Sequence, residues 1–424
     1  MTIIQPYWLL ILFILISTGS SSSSLTEITN QWRNSLVPEL IVSYLGANRN
    51  GTSTNIVLPL QGNVYPTGFY NVTLYIGQPP KPYFLDVDTG SDLTWLQCDA
   101  PCVQCTETVH PLYYPSQSRV PCLDSICSSL RGDHTCEFPD QCDYEIEYAD
   151  GGSSLGVLLK DVFLLNSTNG KGFSPLLALG CGYDQLPGRG GSRHPIDGVL
   201  GLGRGKTSII SQLSDKGILR NVFGHCLSSH GGGYLFFGDG IHDSSRITWR
   251  PIARSTAEKY YSLGAAELYF NGKPTSSRNL PVIIDSGSSY SYLSSPAYGV
   301  FISKIEEGLM KKRLTKAVDD RTLPFCWRGR KPFRSIRDVR KYFSSWALSF
   351  EGGRRRNQFE FKPEDYLIIS FKGNVCLGIL NGTEAGLGRM NVIGDISMQD
   401  KIIVYDNEKE GIGWGQFNCN RLPK

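Results

Sequence analysis

Beyond its first two dozen residues the sequence has no apolar run approaching the roughly 20 residues needed to cross a bilayer. The C-terminal end, Cys419-Asn420-Arg421-Leu422-Pro423-Lys424, lacks the apolar tail of a lipid-anchor signal. No membrane anchor is expected. A dominant charge is missing too: 42 Lys and Arg stand against 39 Asp and Glu, a net charge of +3, which argues against a dedicated nucleic-acid binder. Residues 301–360 depart from that balance, with 16 Lys or Arg against 7 Asp or Glu. Part of the excess, Arg354-Arg355-Arg356, follows Gly352-Gly353 between two strand-like runs, Trp346–Phe350 and Phe359–Phe361, and is expected to be a solvated hairpin tip. No Lys or Arg precedes the apolar run Trp8–Ile16, but that run and the small residues Ser17–Ser24 after it still have the form of a secretory signal over residues 1–24.

What the chain does have agrees with a secretory route. Its 12 cysteines are even in number, and seven fall between Cys98 and Cys142 in a stretch rich in Pro, Ser and Asp. In an oxidising compartment this predicts a disulfide-stapled insertion. The competing pattern, a zinc site of Cys98, Cys102, Cys105 and His110, suits a reducing compartment better. Sequons at Asn50, Asn71, Asn166 and Asn381 mark glycosylation candidates. Nine cysteines, ending at Cys226, precede a polar, turn-prone stretch at 243–257, and three, Cys326, Cys376 and Cys419, follow it. Both numbers are odd, so complete oxidation within one chain requires a bond between the halves. Cys326 and Cys376 flank the hairpin and are assigned to each other, which leaves Cys226–Cys419 as the best cross-link.

Strand-like runs dominate: Tyr70–Ile76, Tyr83–Val87, Tyr144–Tyr148, Gly233–Phe237, Val282–Ile284 and Lys401–Tyr405. Helical signals are few. Ser295 and Pro296 suggest an N-cap and first turn, continued by Phe301, Ile305 and Leu309, and a shorter helix is predicted from Thr207 to Lys216, stopped by Gly217. The class is mainly β. The chain also repeats itself. Asp88-Thr89-Gly90-Ser91 and Asp285-Ser286-Gly287-Ser288 each end an apolar strand, and each is followed by a second marker, Val199-Leu200-Gly201 or Val392-Ile393-Gly394. Two long copies predict two similar β-lobes, 57–245 and 246–424, related by a pseudo-twofold axis, rather than a solenoid of many short repeats.

The repeated motif has a chemical logic. Glycine lets the turn approach its partner closely. The hydroxyls of Thr89 and Ser286 can bond across the axis, those of Ser91 and Ser288 can orient the carboxyls, and the apolar-apolar-Gly segments can shield them from water. Two carboxyls in contact cannot both ionise and share a proton over the acidic range. A water held between them can then be activated to attack a peptide carbonyl, with no cofactor or metal. One such four-residue match arises by chance in roughly 2% of chains this long, and a second is rarer again by about the same factor. Asp86, inside the strand with no glycine turn after it, is assigned a structural role.

The run from Phe84 to Cys102, with Asp88-Thr89-Gly90-Ser91-Asp92-Leu93-Thr94-Trp95 at its centre, resembles the nucellin-like aspartic proteases of plants, over about Val57 to Cys419. The resemblance implies a bilobal, pepsin-like acid protease fold with the active site in the cleft between the lobes, and Asp88 and Asp285 as catalytic residues of an endopeptidase acting on proteins or peptides. It implies a flap over Tyr144–Gly156 bearing Tyr148, with Trp95 as that tyrosine's hydrogen-bond donor. The saposin-like insert of typical plant aspartic proteases is missing. A short pro-segment over 25–56, with only Arg33 and Arg49 as basic residues, a monomer, and an extracellular (apoplastic) or vacuolar location follow as expectations. A pepsin-fold protein that inhibits a glycan-cleaving enzyme is the alternative, and such relatives generally show damaged dyad motifs, unlike this chain.

Overall fold

The computed structural model describes residues 54–421, apart from 101, 116–117, 132–137, 189–194, 240–243, 255–259 and 351–356. The signal, nearly all of the pro-segment, Asn50, Cys136 and the Arg354–Arg356 tip lie outside the described residues.

The period-two burial of the strand Lys81–Asp88 shows how the first sheet is built. Tyr83, Leu85 and Val87 are buried on one face, which turns Asp86 and Asp88 to the other. Phe69–Ile76 pairs with this strand antiparallel, and Gly198–Gly201 pairs with it parallel, bringing Gly201 opposite Asp88. Trp95–Gln97 then lies antiparallel to Gly198–Gly201 and parallel to Leu176–Leu186. The second half repeats the plan. Leu280–Ile284 has Tyr261–Phe270 antiparallel on one side and Asn391–Ile393 parallel on the other, and Ser291–Leu293 lies antiparallel to the latter and parallel to Ile379–Asn381. This is a mainly β, bilobal, pepsin-like fold.

The halves are not closed sheets. Lys401–Asp406, buried throughout, pairs with Val222–Leu227 of the first half, and Gly411–Gln416 joins it to Thr248–Pro251. These strands form one edge of a 14-stranded sheet that includes Lys81–Asp88, while the second half also has sheets of eight and four strands among the described residues. Cys226 is bonded to Cys419 on this shared edge, and Cys326 to Cys376 within the second half. In the cysteine-rich stretch Cys98 joins Cys181, Cys102 joins Cys105, and Cys127 joins Cys142. No described cysteine is free. The zinc pattern therefore has no thiolates to use, and His110 Nδ1 lies 2.6 Å from the Asp197 carboxylate instead.

Two helix boundaries differ from the sequence reading. The long helix is Ser295–Leu309, but its N-cap is Ser294, with Ser295 and Pro296 already in the first turn and Ala297, Phe301, Ile305 and Leu309 buried. The shorter one is Ile209–Asp215, because the Ser208 side chain, rather than Thr207, accepts a bond from Ser211 N–H. The strands Trp346–Ser349 and Gln358–Phe361 do pair as a hairpin. No helix of the described residues is long and apolar enough to cross a membrane.

Candidate active site

The two Asp-containing turns meet. A Cβ placed on Gly90 would lie 2.6 Å from Asp285 Oδ1, and one on Gly287 would meet the Asp88 carboxyl more tightly still, so each turn must be glycine for the other's aspartate to fit. The Asp88 and Asp285 carboxyls lie within hydrogen-bonding reach of each other. Behind them, Thr89 N–H donates to Ser286 Oγ at 3.1 Å, Ser286 N–H donates to Thr89 Oγ1 at 2.9 Å, and Ser286 Oγ donates to the Val87 carbonyl at 2.6 Å. All three are buried, and the first two are reciprocal bonds between residues 197 apart in sequence. They lock the turns into a single rigid unit.

Each carboxyl is also held from outside. Ser91 Oγ donates to Asp88 Oδ2, and Ser288 Oγ to Asp285 Oδ2 at 2.6 Å. Gly90 N–H donates to Asp88 Oδ1 at 2.7 Å and Gly287 N–H to Asp285 Oδ1 at 3.0 Å. Burial holds both carboxyls above the usual carboxylate range, the negative partner raises Asp88 further, and the serine and glycine donors pull the other way. A pair under these opposing influences titrates jointly and retains one proton well above the pH at which a free aspartate loses its own.

The sequence reading missed a second symmetric pair. Gly201 N–H donates to Thr94 Oγ1 at 3.2 Å, and Gly394 N–H to Ser291 Oγ at 3.0 Å. Thr94 and Ser291 each stand six residues after their aspartate, so the repeat itself was the signal that could have found them. It also missed Asp395, whose counterpart in the first copy is Leu202. Asp395 is buried, neither carboxyl oxygen has a hydrogen-bond partner, and burial, then the neighbouring acids Asp86, Asp285 and Asp88, keep its carboxyl well above the ordinary range. Asp86 lies on the same strand face as Asp88 with its Oδ1 enclosed and unpartnered, and is raised by the same causes. Tyr405, stacked on Phe223 with ring centroids 4.6 Å apart, reaches the Thr89 hydroxyl and lies 3.1 Å from His225 Nε2.

The region expected to form a flap is a hairpin of Asp143–Glu147 and the start of Ser153–Asn166. Tyr148 closes its tip, donating N–H to Gly152 O at 2.8 Å and accepting from Gly151 N–H at 2.9 Å. Trp95 Nε1 donates to the Tyr148 hydroxyl at 2.7 Å. Burial and the nearby Asp88 charge raise the Tyr148 phenol well above its ordinary value, so it stays protonated. The tip reaches the second half, since a Cβ on Gly386 would lie 3.0 Å from the Ala149 carbonyl.

Among the sequons, Asn166 is exposed at a strand end. Asn381 is half-buried, with its amide bonded to Glu384 and its carbonyl accepting from Ser295 Oγ. Asn71 is a correction. It sits inside Phe69–Ile76 opposite Asp86, largely buried with its Oδ1 enclosed, in a paired strand rather than the surface loop expected of a glycan acceptor.

Two family models, described as xylanase inhibitor N-terminal and xylanase inhibitor C-terminal, match residues 70–239 and 261–416. An aspartic proteinase of Oryza sativa subsp. japonica is 44% identical over 385 residues, covering 88% of this chain and 93% of its own. Aspartic proteinase 36 of Arabidopsis thaliana is 32% identical, covering 87% of this chain and 78% of its own. Among solved structures, basic 7S globulin from soybean superposes with a TM-score of 0.68 at 19% identity, and conglutin gamma from lupine seeds with 0.69 at 20%, each over 88% of this chain and 99% of its own. These two likenesses bear on the fold alone, whereas the rice and Arabidopsis relatives are near enough in sequence to assign the family: the chain belongs to the plant aspartic proteinases.

Proposed function

We propose that this chain is an aspartic endopeptidase of the nucellin-like kind, with Asp88 and Asp285 as its catalytic residues. The observation that carries the proposal is the contact of two buried carboxyls inside a symmetric cage of hydroxyl and backbone donors. In the singly protonated pair, the charged carboxylate takes a proton from a water held between the two. The oxygen of that water bonds to the peptide carbonyl carbon, and the protonated partner gives its proton to the carbonyl oxygen. The tetrahedral diol then collapses: the charged carboxylate takes the proton of one diol hydroxyl, the C=O bond re-forms, and the C–N bond breaks as the protonated partner gives its proton to the nitrogen. Tyr148 and Trp95 form the flap over this chemistry. The proposal includes a secretory signal over 1–24, a pro-segment over 25–56, lobes 57–245 and 246–424, a monomeric state and an extracellular or vacuolar destination. The disulfides support the secretory route, and the gap between the two family models, 240–260, supports the lobe boundary.

A binding protein without proteolysis is the second reading, favoured by the inhibitor descriptions of the family models and the seed-globulin fold neighbours. Both Asp-[Thr/Ser]-Gly-Ser motifs are intact here, and that weighs against it. Incubation of the purified protein with a denatured protein at about pH 3 to 6 separates the two. Cleavage that is lost in Asp88→Asn and in Asp285→Asn, blocked by pepstatin and indifferent to EDTA is the expected result. An intact substrate throughout, or activity retained in either purified variant, would sink the assignment.

A further inference from the structure

The locally basic segment is more than a hairpin tip. Between residues 311 and 341 there are twelve Lys or Arg and three Asp. Each of those acids is already engaged. Asp320 is buried and accepts from Ser370 Oγ and Asn374 Nδ2, and Asp319 pairs with Arg328 and Lys372. Asp338 accepts the N–H groups of Arg334 and Ser335 at 2.9 and 3.1 Å, at the start of a helical turn. The remaining cations are in large excess.

Three of them converge on a concavity. Arg313, just past the helix Ser295–Leu309, and Arg330 and Lys331, just past the strand Cys326–Arg328, line a cavity of about 320 Å³ with Tyr342 and Phe333. Phe333 N–H donates to Gly373 O at 2.8 Å and Lys312 N–H to Leu309 O at 2.8 Å, so one cationic segment is tied to the turn at Gly373 and the other to the end of the helix. Arg313, Arg330 and Lys331 are exposed and form no ion pair with any described residue. Asp338 is the cavity's one acid among the described residues.

We infer that this face binds a carboxylated polysaccharide, a polymer of uronate units, at a site distinct from the aspartate pair. Planar guanidinium groups match carboxylates in a two-pronged geometry. Aromatic faces beside them carry negative quadrupoles that attract the C–H face of a sugar ring. The spread of cations beyond the cavity, including Lys312, Arg337 and Lys341, suits an anion repeated along a chain rather than a single small ion. A membrane is the competing occupant, since Met310, Val318 and Phe371 are exposed in or beside this segment; the charge pattern around a hollow favours the polymer, and the vesicle comparison below tests the choice. Nucleic acid fits less well with the proposed secretory route, on which the choice of polymer rests. Binding here would hold the protein in an acidic glycan matrix while the cleft remains open.

The test uses the full chain on immobilised polygalacturonate, with its methyl-esterified form as the uncharged control. Retention is expected in low salt and should be lost between about 0.1 M and 1 M, as screening shortens the reach of the charges. The esterified polymer should not retain it. The triple substitution Arg313→Gln, Arg330→Gln, Lys331→Gln should weaken binding at least about tenfold, roughly 1.4 kcal/mol, and leave the melting temperature unchanged. Should the triple variant fail to fold, the three single variants supply the same comparison, each with a smaller loss. No retention, equal retention by the esterified polymer, or unchanged affinity in the variants would overturn the inference. So would loss of binding only on replacing Arg354, Arg355 and Arg356, or tighter binding to phosphatidylserine vesicles or a DNA duplex than to polygalacturonate.

Discussion

Ser288 illustrates how much a single hydroxyl contributes at this site. Its bond to Asp285 Oδ2, 2.6 Å, stabilises the charged carboxylate and opposes the upward push of burial. Ser288→Ala removes a hydrogen bond to a charged group, worth about 1.5–3 kcal/mol. The dyad must then lose its protons at higher pH. Both limbs of the pH–rate profile are expected to move upward, with kcat/KM down about 10- to 100-fold at acidic pH. A profile with unmoved limbs would show that the serine does not tune the pair. Asp395 supports a prediction of opposite character, about stability. An aspartate whose folded pKa lies above its unfolded value favours the folded state when protonated. That advantage is full below the unfolded pKa and is lost as pH rises towards the folded one. Asp395 is buried, unpartnered and raised, so ionisation penalises the native chain at neutral pH. Asp395→Asn should therefore raise the melting temperature at pH 7, by the equivalent of more than about 1 kcal/mol, with little change near pH 3. His225 works against the acids: burial lowers its pKa to about 3, so it costs stability as pH falls below its unfolded value.

At the scale of elements, the hairpin bearing Tyr148 gains its order from few contacts. Its tip residues Ala149–Gly151 are exposed, and Tyr148 is anchored by its backbone bonds to Gly151 and Gly152 and by the Trp95 indole. Trp95 itself sits on a strand between Leu176–Leu186 and Gly198–Gly201, packed in a cluster with Leu93, Tyr144 and Leu158. Trp95→Phe keeps most of that packing and removes the 2.7 Å donor. If the hairpin acts as the proposed flap, kcat/KM should fall about tenfold, the effect of losing roughly 1.4 kcal/mol. The melting temperature should change far less than for truncation to alanine. Proportional losses of stability and activity would instead mark Trp95 as a packing residue alone. The strand runs that build this region are visible in the sequence as alternating or continuous apolar segments. The helix start at Ser294 was not, because Ser294 and Ser295 are equally good caps by type, and only the helix's packing against the sheet decides between them.

For the whole molecule, the shared sheet edge matters most. Lys401–Asp406 pairs with Val222–Leu227, and Cys226–Cys419 fastens that edge across 193 residues of sequence. A bond closing so long a loop should stabilise by about 5 kcal/mol, chiefly by restricting the unfolded chain, whereas Cys102–Cys105, three residues apart, should give under about 2 kcal/mol. Replacing each pair by alanine and comparing urea midpoints tests this. A larger loss at Cys102–Cys105 would contradict it.

The sequence by itself determined the mainly β class and the two-copy architecture, because period-two apolar runs and twice-repeated Asp-[Thr/Ser]-Gly-Ser turns are local facts of the chain. It also limited the cysteine pairing, since nine and three are odd on either side of any cut near residue 250. What it could not determine is everything that depends on residues far apart coming together. That Gly90 abuts Asp285 and Gly287 abuts Asp88, that Thr94 and Ser291 receive the Gly201 and Gly394 amides, and that Asn71 is largely buried in a strand rather than on a surface loop were decided by tertiary structure. The physical reason is the same in each case. Burial and close approach are properties of packed surfaces, and a serine, glycine or asparagine has the same letter whether it faces water or the partner lobe. The last strands crossing into the first half's sheet belong with these, since an apolar run such as Lys401–Asp406 states that it will be covered but not by what.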